Sequence, residues 1–409
     1  MLSRLWLCFI LSAFVAACYQ ALFNQQSGTF QDVMDAVTAM ATLSVDIAIG
    51  LIGVLAFWLG IFRVAEQSGI VDKMATVLSP FLRRVMPEIP AHHPALGSIT
   101  MNMSANILGL DNAATPFGIK AMQDMQTLSP KKDTLSNSQI LFLVLNTSSV
   151  TLFPIAVFLY RAEQGAAQPT DVFIPILLAT SASTLAGLIV TCLVQRVNLL
   201  NKVVLLYLGA AFAFLAAVVL YFGSLASDVL AAQSAVVANV LLFTFIVVVL
   251  IAGWRRQVNC YEEFVEGAKK GFEVAISLIP YLIAMLIAIG MLRASGVMEL
   301  ITQSIASMVA FIGADTRFVD ALPTAMMKPL SGSGARAMMI ETMQFHGADS
   351  FAGRLASVLQ GSTETTFYVL AVYLGAVGVR HARHAVACCL AADAAGIAAA
   401  IAVSYWFFG

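Results

Sequence analysis

Apolar residues run without interruption for lengths close to the roughly 20 residues that cross a bilayer as a helix. The runs are centred on 5–23, 43–62, 139–160, 172–194, 203–222, 232–253, 274–292, 355–376 and 385–408. Two stretches, 70–130 and 297–350, break this pattern. Each opens with an amphipathic piece, Val71 to Val85 and Val297 to Ile312, and continues as short apolar segments cut by Asn, Gly, Ser and Pro. Segments that short cannot span, so each stretch predicts an interfacial helix followed by a re-entrant hairpin that enters and returns on one side. The predicted fold is an all-α polytopic membrane protein of about nine transmembrane helices plus two re-entrant hairpins.

The two irregular stretches share an internal pattern. Leu59-Gly60-Ile61-Phe62-Arg63 followed by Ser68-Gly69-Ile70 is matched by Ile289-Gly290-Met291-Leu292-Arg293 followed by Ser295-Gly296-Val297. Leu145 to Phe153 aligns without gaps with Leu359 to Phe367, with Leu, Ser, Thr and Phe coinciding. Each half reads span, interfacial helix, hairpin, polar-interrupted span, span, and the spans at 203–222 and 232–253 link the halves. An odd number of spans per repeat makes the second copy enter from the opposite face. That is the inverted topology common in secondary transporters. The halves are expected at 1–198 and 199–409, with the repeats themselves at about 43–194 and 272–408.

Composition agrees with a bilayer as solvent. The 409 residues are 60% hydrophobic and 11% charged, far from the balance of a soluble domain. The formal net charge of −1, with no basic cluster interleaved with aromatics, speaks against nucleic-acid binding. Arg4 precedes an apolar stretch that ends near Phe23. Val15-Ala16-Ala17-Cys18 resembles a lipoprotein cleavage box, but the stretch is longer than a signal-peptide core, so a retained first span is expected. With the N-terminus in the cytoplasm and both hairpins returning without crossing, 16 of the 22 basic residues lie inside, as the positive-inside rule favours. The six cysteines lack CxxC spacing and read as small buried hydrophobes.

Backbone broken within a membrane must face protein, water or a ligand. Asn146, Thr147, Ser148, Ser149, Thr151 and Pro154 interrupt one span; Gln360, Ser362, Thr363, Glu364, Thr365 and Thr366 interrupt its counterpart. Unwinding there frees carbonyls for cations and aims N–H groups at anions, while hydroxyls and amides suit a polar solute or Na⁺. The alternative role for such residues is hydrogen bonding between helices. Glu364, a carboxylate within a span, is a candidate for binding H⁺ or Na⁺, or the partner of a buried Arg336 or Arg354. Asp46, Glu273 and Asp393 are expected at helix ends. The first hairpin offers Asn102, Ser104, Asn106, Gly109, Asp111, Asn112, Thr115 and Pro116; the second offers Lys328, Pro329, Ser331, Gly332, Ser333 and Gly334. The Ser-Gly run could present a helix N-terminus to an anion or form a tight packed turn. It lacks P-loop spacing, the five histidines lack HExxH spacing, and no GxSxG elbow occurs. A Cu(I) site among Met101, Met103, Met326 and Met327 is less expected than ordinary packing.

Asn102 to Asn106 through Gly109, Asn112 to Gly118, and Leu145 to Thr151 resemble spore maturation protein A. Pro329 to Gly334, with Gln360 to Tyr368, resembles spore maturation protein B. The chain looks like a fusion of the two. The resemblance implies two gate, or nucleoside-recognition, domains similar to those of concentrative nucleoside transporters and of the membrane part of the ferrous-iron transporter. The gate motifs here lack the cysteine of the iron transporter, and there is no GTPase domain, so iron is not indicated.

The sequence therefore points to a secondary transporter of a small polar solute, nucleoside-like or of amino-acid or peptide type, coupled to Na⁺ or H⁺. It would sit in the bacterial inner membrane, act without a cofactor, and form homo-oligomers if it self-associates. Its expected site is Asn102, Asn106, Asn112, Thr115, Asn146, Ser148, Ser149, Thr151, Ser331, Ser333, Gln360, Ser362, Thr363, Glu364 and Thr365. The rival reading is a non-transporting membrane scaffold that recruits an envelope enzyme. An enzyme is the least supported, because no nucleophile–base or metal-ligand pair emerges.

Overall fold

A computed structural model describes residues 2–23, 28–90, 92–109, 111–129, 131–148 and 150–409, leaving the side chains of 2, 3 and 111–113 undescribed. The described chain is helical. In order come α1 (Leu2–Phe23), α2 (Thr29–Gln67), α3 (Ile70–Val85), α4 (Pro94–Leu108), α5 (Asp111–Leu128), α6 (Asn137–Thr147), α7 (Ile155–Glu163), α8 (Phe173–Gln195), α9 (Lys202–Gly223), α10 (Leu230–Arg255) and α11 (Cys260–Ala294). Then follow α12 (Val297–Phe311), α13 (Leu322–Met327), α14 (Gly332–His346), α15 (Phe351–Gly361), α16 (Thr366–Val377) and α17 (Ala385–Phe408).

Seven described helices are long and apolar enough to cross a membrane: α1, α2, α8, α9, α10, α11 and α17. The other two expected spans are each a pair of short helices, α6 with α7 and α15 with α16. The breaks have local causes. A Ser136/Gln139 capping box starts α6. At its end the Ser148 hydroxyl donates back to the Val144 carbonyl at 2.7 Å, and Pro154, which has no N–H, caps the restart at α7. In the second copy the Ser362 hydroxyl donates to the Leu359 carbonyl at 2.9 Å and α16 restarts behind Thr365. Asn146, Thr147 and Gln360, expected within the interruptions, are instead the last helical residues before them.

The repeat is visible in its turns. Gly69 and Gly296, at φ of 68° and 79°, sit in the left-handed region that glycine alone enters without strain. Before each, a serine hydroxyl donates three residues back, Ser68 to the Ala65 carbonyl and Ser295 to the Leu292 carbonyl. The amphipathic helices α3 and α12 follow.

Corresponding helices of the two halves pack antiparallel. Along α2 and α11, Arg63 pairs with Glu263 at 2.9 Å, Gly267 meets Leu59 and Gly60, Gly271 meets Ala56, and Gly290 meets Met40. Gly267 and Gly271 form a small-xxx-small pair that brings the two backbones together. Along α8 and α17, Ser183 donates to the Ala392 carbonyl at 2.9 Å and Gln195 lies 3.2 Å from His384. The loops obey the same exchange. The Leu135 N–H, before α6, donates to the His381 carbonyl after α16. The segment after α7 is tied to the one before α15, where Ala167 N–H donates to Asp349 at 2.9 Å. Each half thus presents the same surface to the other under an approximate two-fold rotation, as an inverted repeat requires.

Three acidic residues correct the sequence reading. Asp46 and Glu273 lie within α2 and α11, exposed, because both helices run well beyond their apolar stretches. Asp393 is inside α17 and 2% exposed, far from a helix end.

A Cβ at Gly271 would collide with the backbone of Ala56, which cannot rotate away. Gly271→Leu is expected to destabilise the protein by at least about 1–3 kcal/mol, the usual cost of overpacking. A lowered unfolding midpoint of the purified protein in detergent is the check.

Candidate functional site

The two interrupted spans meet at their breaks. The Glu364 N–H donates to the Thr147 carbonyl at 2.7 Å, joining the second break to the end of α6. Each break is also tied to the hairpin of its own half, Leu152 N–H to the Ile107 carbonyl at 2.8 Å and Phe367 N–H to the Pro329 carbonyl at 2.9 Å. Peptide groups that a continuous helix would have paired are thus paired across the breaks.

Beside this junction lies a cavity of about 330 Å³. It lies at the lower end of the size range of small-molecule sites. Trp58 and Phe62 of α2, Phe153, and Tyr160 of α7 give it an aromatic wall. The opposite side is polar: Thr151 from the first break; Gln360, Thr363, Glu364 and Thr365 at the second; Lys328, Gly332 and Arg336 from the second hairpin. Gly109, which ends α4 at φ of 76°, closes it from the first hairpin, where a Cβ would press on the Phe153 carbonyl. The N-terminal ends of α7, α14 and α16 abut the cavity through Pro154, Gly332 and Thr365, and their helix dipoles add partial positive charge. Lys328 is 5% exposed, and the Gln360 Oε1 is buried with no hydrogen-bond partner among the described residues.

The Glu364 carboxylate makes no ion pair among the described residues. The arginines considered for it are engaged elsewhere: Arg336 lies over the Tyr160 ring at 5.4 Å, and Arg354 pairs with Asp171 at 2.8 Å. The expected buried pairing is therefore not formed.

Other expected site residues lie outside the cavity. Asn106 donates to Asn146 at 2.9 Å, Asn102 donates to the Ala114 carbonyl at 2.8 Å, and Tyr373 of α16 lies 3.4 Å from both Asn102 and Asn146. The Tyr373 hydroxyl sits over Gly118, where any side chain would displace it. Ser148 and Ser362 bond back into their own helices, and the Ser148 carbonyl accepts from Thr180 and Thr184 of α8. Ser331 caps α14 through the Gly334 N–H at 3.0 Å, with Ser333 bonded to it at 3.2 Å. Thr115 is half-buried on α5; the Asn112 side chain and Ser149 lie outside the described residues. Tyr373 was not singled out by sequence, and Asp393 was set aside as a helix-end acid. A phenol on an otherwise apolar helix, and an acid inside a span, were the available signals.

At one end of the molecule a buried ionic cluster locks the halves. Arg161, 0% exposed, pairs with Asp171 at 2.9 Å and Asp349 at 3.2 Å and donates to the Ala348 carbonyl. Burial pushes the Asp171 carboxyl up from its usual range, while Arg161 and Arg354 pull it back. No group of three or more His, Cys, Asp or Glu arranged for a metal occurs among the described residues.

Asn146→Ala would leave the half-buried Asn106 amide without its best acceptor. A loss of about 1–3 kcal/mol is expected, read as a lower unfolding midpoint of the ligand-free protein.

A family model described as "Gate: Nucleoside recognition" matches residues 48–163 and 275–380. Spore maturation protein A of Bacillus subtilis (strain 168) is 43% identical over 169 residues, covering 41% of this chain and 86% of that protein. Spore maturation protein B of the same organism is 44% identical over 161 residues, covering 39% of this chain and 89% of that protein. No solved structure matches. The chain is a multi-pass, transporter-like membrane protein of the nucleoside-recognition gate family, related in separate parts to spore maturation proteins A and B, as a fusion of the two would be.

Proposed function

We propose that this protein is a secondary transporter of a small polar solute, nucleoside-like or of amino-acid or peptide type, coupled to Na⁺ or H⁺. In this reading it sits in the bacterial inner membrane with a cytoplasmic N-terminus and carries out no covalent chemistry. The observation that carries the reading is the cavity where the two breaks meet. Its polar groups come from both repeats, and it lies where the repeats would rock against one another in alternating access. Lys328, Arg336 and three helix N-termini suit an anionic or electron-rich part of a solute. Glu364 suits a cationic part, Gln360 Oε1 awaits a donor, and the aromatic wall suits a planar or apolar part.

A thermal-shift screen of the purified protein against nucleosides, nucleobases, amino acids and dipeptides, at varied Na⁺ and pH, tests it. A ligand at 100 times its Kd stabilises by roughly 2.7 kcal/mol. Glu364→Gln and Gln360→Ala are expected to abolish the shift, and Ser362→Ala, outside the cavity, to keep it. A ligand whose shift ignores both cavity substitutions would contradict the assignment. Silence from the whole panel would favour the scaffold reading.

A further inference from the structure

We propose that Asp393 is a proton-binding residue behind the cavity and that Lys328 couples its protonation to the solute. Asp393 is the ninth residue of α17 and is 2% exposed. Its Oδ2 accepts from the Thr366 hydroxyl at 2.7 Å, and its Oδ1 has no hydrogen-bond partner among the described residues. Thr366 is the first residue of α16, directly after Thr365, which lines the cavity. Lys328 also lines the cavity, and the carbonyl of the next residue, Pro329, accepts from the Phe367 N–H beside Thr366, which brings the Lys328 segment to the start of α16 where its charge favours the Asp393 carboxylate. One lysine therefore borders the solute space and acts on a buried acid.

An ionised carboxylate with one hydroxyl donor and an orphan oxygen is costly at this depth. Two things remove the cost: the Lys328 charge or a proton. A sodium ion is the poorer alternative. It needs several oxygen ligands, and here it would meet a carboxylate whose recorded donor is a single hydroxyl, beside a lysine of like charge.

Glu364, two residues before Thr366, shares the cavity with Lys328 and is the competing carboxylate on the solute side. The sequences of α6, α8 and α16 contain no Asp, Glu, Lys or Arg, and α8 presents the Ser183 hydroxyl on this side. Cys389 lies one turn earlier on α17. Arg354 of α15 lies over the Phe408 ring, at the far end of α17 and about 22 Å along the helix at 1.5 Å per residue. Asp228 and Arg255 stand at the two ends of the α10 region, the remaining element against α17.

The coupling follows from charge balance, and it rests on the reading of the cavity as a solute site. An anionic group entering the cavity draws the Lys328 ammonium toward itself. Asp393, deprived of its counter-charge, takes one proton from water and becomes neutral. When the solute leaves, Lys328 returns and the proton departs.

The test is infrared difference spectroscopy of the full-length protein in lipid as pH is raised. The wild type is expected to show the carbonyl stretch of a protonated carboxylic acid, disappearing with pH. The band should shift when the protein is made with aspartate carrying heavy carbon in its carboxyl, which requires no mutation. It should be lost in Asp393→Asn and kept, displaced, in Asp393→Glu. In Lys328→Gln its midpoint should move to higher pH, because the cation that favours the carboxylate is gone. A band that ignores the aspartate label, survives in Asp393→Asn, or is absent altogether overturns the proton site. An unmoved midpoint in Lys328→Gln overturns the coupling. No solute is used, so failure here leaves the ligand shifts at Glu364 and Gln360 standing, and their failure leaves the Asp393 band standing.

Discussion

The fold depends on one constraint: a peptide group exposed by breaking a membrane helix has to find a partner. The hydrogen bond from the Glu364 N–H to the Thr147 carbonyl meets that constraint by making each break the partner of the other. The bonds from Leu152 to Ile107 and from Phe367 to Pro329 meet it again by drawing in the hairpins. Four irregular pieces of chain are thereby fastened at one place. The N-terminal ends of α7, α14 and α16 border the cavity beside this junction.

The two-fold relation explains how such a junction is held. The glycine contact of α2 with α11 and the small-residue contact of α8 with α17 bring the same helices of both halves together, antiparallel. At both interfaces close backbone approach supplies dispersion energy, to which the Arg63–Glu263 pair and the Ser183 hydroxyl bond add. The polar residues are thus divided into two groups. Those with partners in the protein, Asn102, Asn106, Asn146, Ser148 and Ser362, hold helices in place. Those at the cavity, Thr151, Gln360, Thr363, Glu364 and Thr365, contribute to its lining.

Much of this was legible in the chain. Apolar run length located every long helix, and interrupted runs located both breaks, because each break needs polar or Pro residues that a continuous span avoids. The duplicated Ser-Gly turns were legible because a left-handed backbone favours glycine. The division of the polar residues was not. Ser148 and Gln360 look alike in sequence, yet one hydroxyl bonds a carbonyl four residues back while the other side chain has an oxygen with no partner among the described residues. That difference depends on which helix lies opposite. Asp393 was expected at a helix end although the 385–408 run enclosed it, because hydropathy cannot show that the Thr366 hydroxyl of another helix donates to it.

The central claim is that the meeting of the breaks encloses a solute-accessible space rather than a dry contact. Cysteine substitution in a cysteine-free background tests it directly, with a small water-soluble thiol reagent applied to the folded protein in lipid. Labelling at Thr151→Cys and Gln360→Cys, with Ser362→Cys unreactive, is the expected result. Equal silence at all three positions, or labelling of Ser362→Cys as fast as the others, would contradict it.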